Sequence, residues 1–139
     1  MKSKKTGFNA LLATQFLGAF NDNAFKFVIA GLVVDLVDKT QGGTLYLALS
    51  GAVFILPFLL FSTLGGYLAD RVSKQKIIVW TKILELVVMA FGFLALLKGS
   101  ILPMLIVLFF MGFQSAIFSP SKYGILPEIL TDKELPEGN

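Results

Sequence analysis

The sequence predicts an all-α membrane protein with about four transmembrane helices. Residues 44–69 and 101–119 contain no charged side chain, and each stretch exceeds the roughly 18 apolar residues that indicate a membrane-spanning helix. Of the 139 residues, 55% are hydrophobic and 15% are charged. Soluble domains carry about 25% charged residues, so the composition also favours a polytopic membrane bundle.

The predicted elements follow one another with short connections. We expect spans at residues 7–34, 44–69, 77–97 and 101–119, followed by a cytoplasmic segment at residues 120–139. The first span contains Asp22 and is longer than the roughly 7–15 residues of a signal-peptide core, so we expect it to stay in the mature protein. The third span carries Lys82 and Glu85 near its start, and the second carries Pro57 near its middle.

The distribution of basic residues predicts the orientation in the membrane. Cytoplasmic loops are enriched in Lys and Arg. Three lysines precede the first span, namely Lys2, Lys4 and Lys5, and the second loop contains Arg71, Lys74 and Lys76. The first and third loops have one lysine each, Lys39 and Lys98. We therefore expect both termini in the cytoplasm. The net charge of +3 is explained by these loops and needs no nucleic-acid partner.

No pattern in the chain indicates an enzyme. Cysteine and histidine are absent, which excludes a disulfide framework, a Cys/His metal site and a His-based triad. Neither a GxxxxGK[ST] phosphate loop nor a GxSxG nucleophile elbow occurs. We predict no catalytic centre, no cofactor and no bound metal.

A polar segment at residues 20–26 inside the first span is the strongest indication of function. It combines Asp22 and Lys26 with two asparagines. Each charge at the bilayer centre costs roughly 2.5–3.5 kcal/mol on insertion scales, so such groups usually serve a polar substrate or an ion. One helical stripe comprises Gln15, Gly18, Asp22, Phe25, Lys26 and Ile29. Because the amides also need partners, we expect a binding site that faces a polar cavity.

Two pairs of opposite charge are spaced for contact on helices. Asp22 and Lys26 are four residues apart and can neutralise each other. Lys82 and Glu85 are three residues apart near the cytoplasmic end of the third span, where a lysine can extend to the interface. The second pair is either an interfacial ion pair or a functional one. Asp22 and Glu85 are the candidates for proton or sodium coupling.

The second loop resembles the signature loop of the major facilitator superfamily. It follows the pattern Gly-x-Leu-Ala-Asp-Arg at Gly66, Leu68, Ala69, Asp70 and Arg71. Ser73 replaces a glycine of the pattern and Lys74 replaces an arginine. Glycine permits close helix approach, and an aspartate can cap a neighbouring helix N-terminus. The resemblance implies a latch for the outward-facing state, formed by Gly66, Asp70, Arg71 and Lys74.

Two further segments resemble the bacterial lysophospholipid transporters of that superfamily. They are residues 20–24, FNDNA, and residues 119–126, SPSKYGIL. The resemblance covers essentially the whole chain and implies four helices from the N-terminal half of a facilitator fold. It implies inward movement of lysophospholipids, chiefly lysophosphatidylethanolamine, across the inner membrane by alternating access. Some family members are fused to acyltransferase and acyl-carrier-protein synthetase domains, so either is an expected partner or fusion.

The resemblance also implies roles for individual residues. Asp22 would hold the ammonium of a zwitterionic headgroup. Lys122 would hold its phosphate, or would pair with Asp22 when the site is empty. Asn23 would add hydrogen bonds, and Lys26 would either compete with the ammonium or act as a second phosphate ligand. Exchange of an internal ion pair for substrate contacts would limit the cost of desolvation.

Two alternative functions stay open at this point. One is a related facilitator that exports drugs or siderophores, and the other is a small four-helix channel or enzyme anchor. A facilitator has about twelve helices in two halves, so we expect this chain to be an N-terminal part whose partners include the remaining helices and membrane lipids. Saturable lysophospholipid uptake by vesicles that contain these residues alone would contradict that expectation.

Overall fold

The protein consists of four helices in a computed structural model that describes residues 2–36 and 41–129, with side-chain surroundings for residues 7–32 and 43–127. The helices are α1 Lys2–Leu36, α2 Gln41–Arg71, α3 Lys74–Lys98 and α4 Ile101–Ile129. No strand occurs in these ranges, which confirms the all-helical prediction. The predicted first loop with Lys39 and the terminal residues 130–139 lie outside the described residues.

Among the described residues, three helices are long and apolar enough to cross a membrane. The qualifying segments are Gly43–Arg71, Lys74–Lys98 and Ile101–Pro127. Helix α1 has 35 residues and is longer, but its amides and charges lower its hydropathy. A crossing by α1 stays a prediction, and it requires the polar side chains to face other helices or water.

Helix α4 is longer than the span predicted for it. The prediction placed residues 120–139 in a cytoplasmic segment, whereas the helix continues through Pro120 to Ile129. A proline removes one helical hydrogen bond, but membrane helices tolerate it where neighbouring helices compensate. Here the Pro120 ring lies against α2, because a Cβ placed on Gly65 would be 3.3 Å from Pro120 Cγ. Lys122 therefore lies on a helix, which gives its side chain a defined direction.

Helix α4 is the centre of the bundle and packs against all three other helices, most extensively against α2. Two glycines allow the backbones of α2 and α4 to approach. A Cβ on Gly112 would collide with the carbonyl oxygen of Phe54, and one on Gly65 would lie 2.7 Å from the carbonyl oxygen of Ala116. Lipid gives no hydrophobic drive for helix association, so close packing of this kind holds the bundle together.

Two apolar clusters lie between the helices, at different levels. The larger contains buried residues of α1, α3 and α4: Phe25, Ile29, Val88, Ala95, Met104, Val107, Leu108 and Met111. The smaller joins the start of α1 to the end of α4 through Leu11, Ile125 and Leu126, with Ile78 of α3 packed against it. On each of these three helices, a segment with polar residues separates the two clusters.

Candidate functional site

A cavity of about 190 Å³ opens at the level between the two clusters, lined by polar residues of α1, α3 and α4 and by Phe58 of α2. Its charged lining residues are Asp22, Lys82, Glu85 and Lys122. Its uncharged polar lining residues are Gln15, Thr81, Gln114, Ser115 and Ser119. Gln15, Gly18 and Asp22 of the predicted α1 stripe line it, whereas Phe25 and Ile29 belong to the larger apolar cluster. The cavity gathers two acids and two bases.

Asp22 is held by α4 rather than by a lysine. The Ser115 hydroxyl donates a hydrogen bond to Asp22 Oδ2 at 3.0 Å, and Asp22 Oδ1 is buried without a hydrogen-bond partner. In the described part of the chain, Lys82 and Glu85 form the ion pair and Asp22 forms none. The predicted pairings of Asp22 with Lys26 and with Lys122 are therefore not formed. A buried carboxylate oxygen that accepts no hydrogen bond from the protein can accept a hydrogen bond from a ligand.

Lys26 and Asn23 do not line the cavity. Lys26 Nζ lies 4.1 Å from the centroid of the Phe54 ring in α2, in a cation–π contact. Asn23 is exposed, and its Nδ2 donates a 2.8 Å hydrogen bond to Ala19 O in its own helix. Helix α2 packs beside α1 and draws the Lys26 ammonium toward its aromatic ring. The predicted roles of these two residues as direct ligands find no counterpart in this geometry.

The predicted ion pair on α3 is present and faces the cavity. Lys82 Nζ lies 2.5 Å from Glu85 Oε2. Asn21 of α1 donates from Nδ2 to Glu85 Oε1 at 3.4 Å, and Lys82 Nζ lies 4.8 Å from the centroid of the Phe118 ring in α4. The pair thus has contacts on three helices. It is part of the cavity wall as well as of α3.

Lys122 lines the same cavity from the C-terminal part of α4. Its Nζ lies 4.7 Å from the centroid of the neighbouring Tyr123 ring, and no described carboxylate is within ion-pair distance. Lys82 and Glu85 neutralise each other, and within the described residues Asp22 and Lys122 remain as opposite charges without ionic partners. This arrangement suits a ligand that carries both a cation and an anion.

Sequence reasoning missed the polar face of α4. Gln114, Ser115, Ser119 and Lys122 all line the cavity, and the last three are spaced by four and then three residues. That spacing places side chains on one helical face. This periodicity is visible in the sequence. The prediction for residues 101–119 rests only on their lack of charged side chains, which does not indicate a polar face. Gln114 Oε1 is a further buried acceptor without a hydrogen-bond partner.

The predicted latch residues lie at the junction of α2 and α3. Asp70 is exposed, and its carboxylate makes no hydrogen bond or ion pair with any described residue. The expected capping by Asp70 is not formed with any described residue. Ser73 is the residue before α3, and its carbonyl accepts the backbone N–H of Lys76 at 2.9 Å. The Arg71 guanidinium lies 4.6 Å from the centroid of the Tyr67 ring.

Close packing near this junction depends on Gly65 and Gly124. A Cβ on Gly66, the residue that matches the signature pattern, would meet no atom within 4 Å. The preceding Gly65 is the residue packed against α4. Gly124 of α4 accommodates the side chain of Lys74, because a Cβ there would lie 2.8 Å from Lys74 Cε. The latch loop and the SPSKYGIL segment are therefore in direct contact.

The long apolar helices and the charged cavity between them are the features of a helical membrane protein with a polar interior. The chain belongs to the Major Facilitator Superfamily, whose family model matches residues 11–139. It is similar to the curated protein "Lysophospholipid transporter LplT" of Escherichia fergusonii, with 29% identity over 137 residues, 96% of this chain and 31% of the relative. The same name is carried by a relative from Citrobacter koseri, with 29% identity over 138 residues and the same coverage.

These relatives confirm the resemblance that the FNDNA and SPSKYGIL segments predict. The chain spans about a third of the length of the curated relatives it matches, since it covers 31% of each. No solved structure shows significant similarity to it.

Proposed function

We propose that the chain is part of a secondary transporter that moves lysophospholipids, such as lysophosphatidylethanolamine, inward across the bacterial inner membrane. The observation that carries the proposal is the presence of Asp22 and Lys122 on one cavity, as two opposite charges that have no ionic partner among the described residues. A lysophosphatidylethanolamine headgroup presents an ammonium and a phosphate. Membership of the superfamily and the names of the relatives support the same substrate class.

Asp22 is the proposed ligand of the ammonium. Its Oδ2 is fixed by Ser115, while its Oδ1 has no donor. A buried acceptor without a partner destabilises the empty site, so an ammonium that donates to it gains more than it would in water. The resulting bond is charge-assisted and favours cationic headgroups over neutral ones.

Lys122 is the proposed ligand of the phosphate, since a lysine ammonium offers three donors to an anion. The acyl chain extends outside the cavity. At about 190 Å³ the cavity is smaller than the roughly 300–1,000 Å³ of pockets that enclose a whole ligand. A single-chain lipid can bind its headgroup inside and leave its tail against apolar helix surfaces.

Alternating access, cytoplasmic termini and the latch between α2 and α3 complete the proposed mechanism. The direct contact between Lys74 and Gly124 supports it, because it links the latch loop to the helix that carries Lys122. An acyltransferase that consumes the imported lipid is the partner the family resemblance implies.

Uptake of labelled lysophosphatidylethanolamine by spheroplasts that produce the full gene product tests this function. We expect saturable uptake, a fall of about tenfold or more in Asp22→Ala and Lys122→Ala, and loss of lipid-dependent thermal stabilisation in both. Asn23→Ala is the control, because Asn23 is exposed and bonded within its own helix, and it should retain uptake within about twofold. Export of drugs or siderophores without any lysophospholipid-dependent stabilisation would contradict the proposal.

A further inference from the structure

The Lys82–Glu85 pair has no role in the binding scheme above, although it lines the same cavity. Both residues share this cavity with Asp22. The amide that holds Glu85 belongs to Asn21, the residue next to Asp22. The pair is therefore adjacent to the proposed ammonium site and reaches it from α3.

The position of the Lys82 ammonium depends on a missing side chain in α1. A Cβ on Gly18 would lie 2.6 Å from Lys82 Nζ, closer than two such atoms approach. The ammonium therefore rests against the α1 backbone, one helical turn before Asp22. Glu85 binds it from α3, and the Phe118 ring lies beside it in α4.

Lys82 keeps donors that a ligand can use. An ammonium has three N–H donors and no acceptor. Glu85 accepts one of them, while the Phe118 ring attracts the charge through its face. The Lys82 side chain is 28% exposed, so part of it faces the cavity. An anion in the cavity can bind Lys82 without displacing it from Glu85.

We propose that Lys82 is a second phosphate ligand, positioned by Glu85 and by the absence of a side chain at Gly18. The inference rests on the proposed function. A phosphodiester has two non-bridging oxygens, so Lys82 and Lys122 can each bind one. Two carbons separate the ammonium from the phosphate in the headgroup, which favours a phosphate ligand close to Asp22. Lys82 takes the role of second phosphate ligand, which was one of the two roles that the family resemblance implied for Lys26.

Competition binding to the full gene product in nanodiscs tests this assignment. The two probes are lysophosphatidylethanolamine and a monoacylglycerol with the same acyl chain but no phosphate. We expect Lys82→Met to weaken the phospholipid about tenfold or more and to leave the monoacylglycerol within about twofold. Lys26→Met is the matched control, because it removes the same charge from the ring of Phe54 outside the cavity, and it should weaken neither probe by more than about twofold.

The outcomes separate the two proposals. If the unsubstituted protein binds no lysophospholipid, the proposed function fails and the inference with it. If it binds the phospholipid and Lys82→Met keeps the ratio of the two affinities, the inference alone is overturned. An equal fall for both probes also overturns it, because a merely structural role would weaken every ligand together.

A second variant displaces the ammonium without changing the charge. In Gly18→Ala the new Cβ meets the flexible end of Lys82, so the ammonium moves while the helix backbones need not. We expect the phospholipid affinity to fall as in Lys82→Met. The double variant should bind the phospholipid no more weakly than Lys82→Met alone, because both substitutions remove the same contact between Lys82 and the phosphate. Additive losses would contradict the positioning role of Gly18.

Discussion

Asp22 differs from the other acid of the cavity in the number of its partners. Glu85 has an ammonium on one oxygen and an amide on the other, whereas Asp22 has one hydroxyl on Oδ2 and no donor on Oδ1. A carboxylate away from water is stabilised mainly by the hydrogen bonds it accepts. Asp22 is therefore the acid that a cationic ligand stabilises most, and Ser115 is the residue that orients its carboxylate.

Ser115→Ala tests whether Ser115 orients the Asp22 carboxylate for binding. Loss of the hydroxyl removes the hydrogen bond that orients the carboxylate, so we expect lysophosphatidylethanolamine to bind about tenfold more weakly, the order of one hydrogen bond to a charged group. Isothermal titration or competition binding measures the change.

Ser119→Ala provides the control for that measurement. Ser119 lines the same cavity one turn along α4 and makes no hydrogen bond to Asp22. Its substitution should change the affinity less than about twofold. Equal losses in the two variants would contradict a specific role for Ser115.

Helices α2 and α4 meet through glycine, and two adjacent glycines of α2 differ in what they face. Gly65 lies against the backbone of α4 at Ala116, while Gly66 faces open space. The signature pattern predicts that Gly66 makes the close helix contact, but the rotation of α2 about its axis places Gly65 against α4 instead. Backbone atoms cannot move aside as a flexible side chain can, so the contact at Gly65 tolerates no added carbon without a shift of the helices.

Gly65→Ala and Gly66→Ala form a matched pair for thermal unfolding in detergent. We expect Gly65→Ala to destabilise the protein by about 1–3 kcal/mol through overpacking. Gly66→Ala should be neutral or stabilising, since alanine favours a helix by about 1 kcal/mol over glycine. A greater loss of stability in Gly66→Ala would show that the pattern residue, and not its neighbour, makes the close contact.

The bundle as a whole encloses one polar layer between two apolar clusters, with α4 reaching every other helix. Large apolar side chains cover the outer faces of α2 and α3, for example Leu59 at 76% and Leu86 at 74% exposure. Such faces are stable against lipid tails or further helices. The charged residues at the α2–α3 junction lie at one end of the bundle, which is why they bear on orientation.

Single cysteines test the predicted orientation, since the chain has none of its own. Ser73 and Ser100 are exposed in the second and third connections. We expect a membrane-impermeant maleimide to label Ser100→Cys in intact spheroplasts. It should label Ser73→Cys only after the spheroplasts are permeabilised, because the basic connection stays in the cytoplasm. The unsubstituted protein serves as the blank, and the reverse labelling pattern would contradict the orientation.

Much of the fold was predictable because it depends on local properties. Hydropathy over the length of a span indicated the helices, and the left-handed Gly99, with φ 61°, ends α3 where the sequence shows Gly99-Ser100. The continuation of helix α4 through Pro120, beyond the predicted span, was less predictable. The helix is completed by packing against Gly65, a residue more than 50 positions earlier.

The order of amino acids was sufficient for the helical membrane class, for the family and for proposing Asp22 as a ligand, since a carboxylate in an apolar span is conspicuous without any partner. Packing in three dimensions settled the partners. Asp22 accepts from Ser115, Lys26 turns to Phe54, and Lys82 rests on Gly18. These pairings join different helices, and helix rotation and separation are set by the sum of all contacts in the bundle, so no local pattern specifies them.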